Sequence, residues 1–188
     1  MSVSDYARAA HQELMRIWGE KPKVLRHGDE REEHFIMVAQ IDDTPVRGVT
    51  AVGTLGLSDH DLGFGHLRVE LVGAFPSSFK EAENVAATCA FNAFKDGLPT
   101  YPGAVHQNVV GMYRRSTTVP HILLTDPFLW PNGPLTLTQG ALEIAWLMMV
   151  PITLSELSFA NSSGVEALTT LFEQRQIDIF DLNRASVL

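Results

Sequence analysis

The run Ala141–Ile152, ALEIAWLMMVPI, most restricts what this chain can fold into. It carries Glu143 and falls well short of the roughly 20 apolar residues that cross a bilayer. It therefore reads as a long strand buried in a core, preceded by LTLTQG as a second strand segment with a bulge near Gly140. Pro151 has no amide donor and is expected to end the ladder. Two helix-start signals follow. Thr153-Leu154-Ser155-Glu156 has the spacing of a capping box, and so does Ser163-Gly164-Val165-Glu166, which opens a helix to about Gln174. A strand edge hands over to a helical pair.

Upstream, the signals alternate in kind. Ser4 caps a helix from Asp5 to about Trp18, where Tyr6, Ala10, Leu14, Ile17 and Trp18 make one apolar stripe ending at Gly19. GEKPKVLRHGDEREE reads as a loop. His34–Ile41 and Val46–Leu57, joined by DDTP, predict an antiparallel hairpin. Leu67–Phe75 alternates, with Arg68 and Glu70 on a wetter face. Pro76 stops it, and Ser78-Phe79-Lys80-Glu81 predicts a capped helix to about Lys95, closed by Gly97. AVHQNVVGMY and PHILLTD read as extended, and FLWPNGP as a turn.

No repeat or linker divides the sequence, so one domain over residues 1–188 is expected. Its class is α/β (α+β), a mixed, largely antiparallel sheet with helices packed against it.

Charge narrows the partners. With 22 acidic against 14 basic residues the net charge is −8. That argues against nucleic acid, whose phosphates need clustered Lys and Arg, and suits a basic partner. The lone cysteine, Cys89, excludes an intrachain disulfide and sits in an alanine-rich helical pattern. The N-terminus lacks a cationic start before an apolar run. These features lead to the expectation of a cytoplasmic protein with no membrane segment.

Seven histidines raise the question of chemistry. The best cluster is Asp59, His60, Asp61 and His66. Imidazole and carboxylate ligands at that spacing hold a divalent metal if the loop folds back. A solvated turn has the same composition. Ser58 lies beside Asp59 and His60 in sequence, but LGLSD is not a nucleophile elbow, and adjacency in sequence does not place a base. No HExxH, thiolate set or phosphate-binding glycine pattern is present. The expectation is no catalytic residue, no metal and no cofactor, with a metal-dependent or hydrolase-like enzyme using the His60–His66 loop as the alternative. Phe128 and Trp130, among Pro127, Pro131 and Pro134, form either a binding lip or a turn folded onto the core. Asp59, Asp61, Phe128 and Trp130 are the candidate binding residues.

The stretch from Leu147 onward carries a resemblance. Pro151-Ile152-Thr153 with Glu156, then Gly164, then Asp181, Arg184 and Ser186 resemble the C-terminal signature of the suppressor of fused (SUFU) domain family. VTAVGTLGLSD resembles the family's VT-x-G-x-S strand and loop, with Leu55, Gly56 and Leu57 intervening before Ser58, and RVELV its following strand. The resemblance covers nearly the whole chain and rests on turns and caps. It implies a protein-binding module. The animal member grips an extended peptide of its transcription-factor partner. The shorter bacterial members resemble immunity proteins, found beside secreted toxins in polymorphic toxin systems, so the resemblance implies an immunity protein that neutralises a cognate toxin. A protein partner is thus expected, with a basic toxin domain suiting the acidic charge. A general interaction scaffold without a toxin and a homo-oligomer remain open.

Overall fold

Ser4 begins the first helix as its sequence predicts. In the computed structural model, which describes residues 3–29, 31 and 33–188, α1 spans Asp5–Trp18. The Ala7 amide donates to the Ser4 hydroxyl at 3.0 Å, and Gly19, at φ 77°, closes the helix. Strands β1 (Lys23–Gly28), β2 (Phe35–Asp42), β3 (Val49–Leu55) and β4 (Leu67–Pro76) come next. Then follow α2 (Ala82–Phe94), β5 (Val105–His106), α3 (Val109–Tyr113), β6 (His121–Thr125), β7 (Leu137–Gln139) and β8 (Leu142–Ile152). Helices α4 (Leu154–Ser163) and α5 (Val165–Arg175) complete the described elements.

The strands form one sheet in the order β1-β2-β3-β4-β8-β6-β5, with β7 on β8. Every pairing is antiparallel except β4 with β8. The sheet is therefore mixed and largely antiparallel, as expected. The apolar run of β8 from Ile144 to Ile152 has a direct cause. Leu147 and Met149 enter the core beneath α2 and α3, while Trp146, Met148, Val150 and Ile152 enter the core beneath α1, α4 and α5. A strand buried on both faces has no wet side to alternate with.

Close packing of α1 rests on Gly53 in β3. A Cβ there would lie 2.7 Å from Leu14 Cδ1, and Leu14 is fully buried. The glycine of VTAVG admits the helix to the sheet.

Several expectations are corrected. Lys23–Gly28 is the edge strand β1, paired residue for residue with β2 from Lys23↔Gln40 to Gly28↔Phe35. The Pro and Gly around it punctuate only its ends; Glu30 and Glu32 of the expected loop lie outside the described residues. In β4, Glu70 is fully buried, because β4 lies between β3 and β8 and both its faces are covered. The Ser78 capping box does not form: α2 starts at Ala82 after Glu81, with no side-chain cap, and the Phe79 amide closes a turn onto the Pro76 carbonyl instead. The Ser163 box is also absent. Ser163 is still helical in α4, and Gly164 makes the break alone at φ 90°, ψ 153°. Only Val105–His106 of AVHQNVVGMY is strand; Val109–Tyr113 is helix, after Asn108 at φ 58°. Gly140 is the turn of the β7–β8 hairpin, at φ 63°, rather than a bulge. Pro151 does not end the ladder: it lies opposite Ile122 of β6, beyond Gly73↔Met149, where β4 stops pairing.

Candidate functional site

The turn after β8 is built as its spacing predicts. The Glu156 amide donates to the Thr153 hydroxyl at 3.1 Å, and the Thr153 amide donates to Glu156 Oε2 at 2.8 Å. This reciprocal capping box starts α4. Glu156 also receives the C-terminal segment. Arg184 donates from Nη1 to Oε1 at 2.6 Å and from Nη2 to Oε2 at 2.8 Å, and the Val187 amide adds a bond to Oε1 at 3.1 Å. Both side chains are buried, Glu156 completely. Burial pushes the Glu156 carboxyl up, but Arg184 and the two amides outweigh it and hold it below its ordinary range.

The remaining signature residues join this clasp or shape its approach. Arg184 Nη2 also reaches the Pro151 carbonyl at 3.0 Å, and Ser155 donates to the Ser186 hydroxyl at 2.8 Å. Asp181 accepts the Asn183 amide at 2.8 Å, making the turn that aims Arg184 inward. Gly164 stands apart, at the α4–α5 break. The guanidinium lies 5.4 Å from the centroid of the Phe172 ring on α5. One cation thus ties together the end of β8, the start of α4, the C-terminal segment and α5.

The Ser58–His66 loop is organised around a residue that sequence reasoning placed on a wet face. Glu70 Oε1 accepts the Gly56 amide at 2.8 Å, the Ser58 amide at 3.2 Å and the Ser58 hydroxyl at 2.7 Å; Oε2 accepts the Thr54 hydroxyl at 2.5 Å. Burial pushes this carboxyl up to about 7 against the pull of the four donors. Ser58 is spent on this network and is fully buried.

The other loop residues point to separate partners. The His60 ring stacks on Phe94 with centroids 3.9 Å apart. Asp61 accepts the Gly63 amide at 2.9 Å and lies 3.3 Å from Arg68, while His66 lies 3.8 Å from Glu143. Asp59 is exposed. Among the described residues no group of three or more His, Cys, Asp or Glu gathers as metal ligands.

The aromatic turn divides. Trp130 is 6% exposed and packs against Trp18, with ring centroids 6.5 Å apart. Phe128 is 57% exposed. The turn is held from α1: Glu13 accepts the Leu135 amide at 2.6 Å, and Arg16, paired with Glu13, donates to the Asn132 carbonyl at 2.6 Å. Among the described residues no helix is long and apolar enough to cross a membrane.

Comparison with known proteins agrees with this fold. The suppressor of fused protein (SUFU) family profile matches residues 32–185. The chain is 35% identical to "Immunity protein YqcF" of Bacillus subtilis (strain 168), with both chains covered completely. Among solved structures, a putative SUFU homolog from Neisseria gonorrhoeae superposes with a TM-score of 0.73 at 21% identity, covering 98% of this chain and 97% of that one. The chain solved in a Sufu-Fu complex superposes at 0.71 with 12% identity, over 99% of this chain and 93% of the other. Drosophila Suppressor of Fused gives 0.69 at 12% identity, and there this chain spans 52% of the longer protein. A family profile over most of the chain, a full-length relative and a shared fold all agree: the chain belongs to the suppressor of fused family.

Proposed function

We propose that this protein is an immunity protein, which binds and neutralises a toxin domain as a protein-binding module with no chemistry of its own. The observation that carries this reading is end-to-end similarity, at 35% identity, to a protein named as an immunity protein. The interior is consistent with it. The two fully buried carboxylates, Glu70 and Glu156, are bonded within the scaffold, to strand, turn and C-terminal segment. On this reading residues 1–188 act as one unit in the cytoplasm, and the partner is a basic toxin domain. The net charge of −8 favours such a partner, since opposite charge speeds encounter.

Co-expression with a candidate toxin domain encoded by an adjacent gene tests the proposal. The expected result is restored growth and a complex that survives purification. Continued killing, with no complex at micromolar concentration, would overturn it.

A further inference from the structure

We infer that the cleft between α5 and the turn after β6 is the docking surface for a partner segment carrying a large apolar side chain flanked by lysine or arginine. This inference rests on the protein-binding reading above and names the surface and its chemistry. The cleft has a volume of about 620 Å³. Val150, Phe172 and Ile179 line its apolar floor, and Phe128 forms one lip.

Three features point to an occupant of that kind. First, Phe128 is 57% exposed while Trp130, two residues on, is buried. A large exposed ring at the rim of a concave apolar surface marks an interaction site. Second, the charged residues lining the cleft are Asp126, Glu166 and Glu173, with no cation among the described lining residues. All three are exposed, and none forms an ion pair among the described residues. An acidic rim around an apolar floor complements a segment with cations around an apolar anchor. Third, the floor is held rigid from behind. Phe172 faces the cleft and also lies against the Arg184 guanidinium, which is locked on Glu156. Gly103 lets the facing loop close onto α5: a Cβ there would sit 3.3 Å from Val165 Cγ2. A preorganised floor lowers the cost of binding.

Two variants, Phe128→Ala and Glu173→Lys, test the assignment, with Glu20→Lys as the control for a charge change elsewhere. All three positions are exposed, and circular dichroism and unfolding midpoints verify folding. Titration against the candidate toxin domain should show each cleft variant weakening Kd about tenfold or more and Glu20→Lys less than about threefold. Hydrogen exchange of the complex should show protection at residues 165–179. Unchanged Kd for both cleft variants, with the wild type still binding, overturns the docking surface and leaves the immunity reading standing. If the wild type does not bind the toxin domain, the immunity reading fails and a second probe decides the cleft. That probe is a fluorescein-labelled peptide with leucine and phenylalanine flanked by lysines, beside its lysine-to-glutamate counterpart. Binding of the lysine peptide alone, lost in Phe128→Ala, supports the cleft; no binding, or equal binding of both peptides, overturns it. Sedimentation of the free protein covers the other occupant: a dimer that Phe128→Ala dissociates would mean a second copy fills the cleft and would overturn the inference.

Discussion

Arg184 and Glu156, 28 positions apart, meet inside the protein as a two-point ion pair, with bonds of 2.6 and 2.8 Å. The geometry explains why the C-terminal signature needs arginine. Its planar fork satisfies both carboxylate oxygens and reaches the Pro151 carbonyl as well, which a lysine ammonium cannot do from one position.

Removing one partner strands the other charge in the core. Arg184→Ala should therefore cost roughly 3–5 kcal/mol, with Arg184→Lys in between, as measured by urea unfolding. The double variant with Glu156→Gln should lose less than the two single losses combined. Because Glu156 is held below its ordinary carboxylate range, its contribution is present at neutral pH and lost as pH falls through that lowered value. An Arg184→Ala loss under about 1 kcal/mol would contradict the clasp.

Thr153 caps α4 with a single hydroxyl. Thr153→Ala should lower stability by about 1 kcal/mol, and Thr153→Ser should restore most of it. An unchanged denaturation midpoint in the alanine variant would show that the cap contributes nothing.

Glu70 predicts the opposite pH dependence from Glu156. Its carboxyl is raised from 4.5 to about 7 by burial. The folded protein therefore keeps a proton that the unfolded chain has released. Glu70's contribution is full below pH 4.5 and declines as pH rises to about 7, by a total on the order of 3 kcal/mol. Glu70→Gln keeps the shape and cannot titrate. The difference in stability between wild type and Glu70→Gln, followed from pH 4 to 8, isolates this decline from the rest of the protein. A flat difference would mean that folding does not raise the Glu70 carboxyl.

Phe128 and Trp130 should separate cleanly by thermal or urea unfolding. Trp130→Ala empties a site packed against Trp18 and should cost roughly 3–5 kcal/mol. Phe128→Ala removes an exposed ring and should stay within about 0.5 kcal/mol. Similar losses at both positions would contradict the division of the aromatic turn.

Much of this architecture is legible in the chain because local chemistry and tertiary structure agree. The Ser4 and Thr153 caps work within four residues, so their spacing suffices. The run to Ile152 lacks polar alternation because both its faces are buried. What was illegible depends on distant partners. Strand β1 exists because β2 pairs with it. Glu70 looks like a surface residue by alternation, but β4 is covered on both faces, and Thr54 with the Gly56–Ser58 turn makes it a buried acceptor. Ser78 and Ser163 have the capping spacing, but the chain starts its helices elsewhere, after Glu81 and at Gly164. The candidate site divides the same way. The Pro151–Glu156 motif and the Asp181–Ser186 motif are each visible in sequence, but their meeting through Arg184 is not. The cleft behind Phe172 combines residues from four separate segments, and no local pattern marks it.

On the proposed function, an acidic binding module captures a basic toxin domain. Stopped-flow association of the two proteins across a salt series tests it most directly. Exposed charges are screened over about 8 Å at physiological salt. The expected result is a tight complex whose association rate falls as salt rises while its dissociation rate changes little. A complex with salt-independent association would remove the acidic surface as its guide. Absence of any complex, with turnover of a small molecule by the protein instead, would contradict the claim itself.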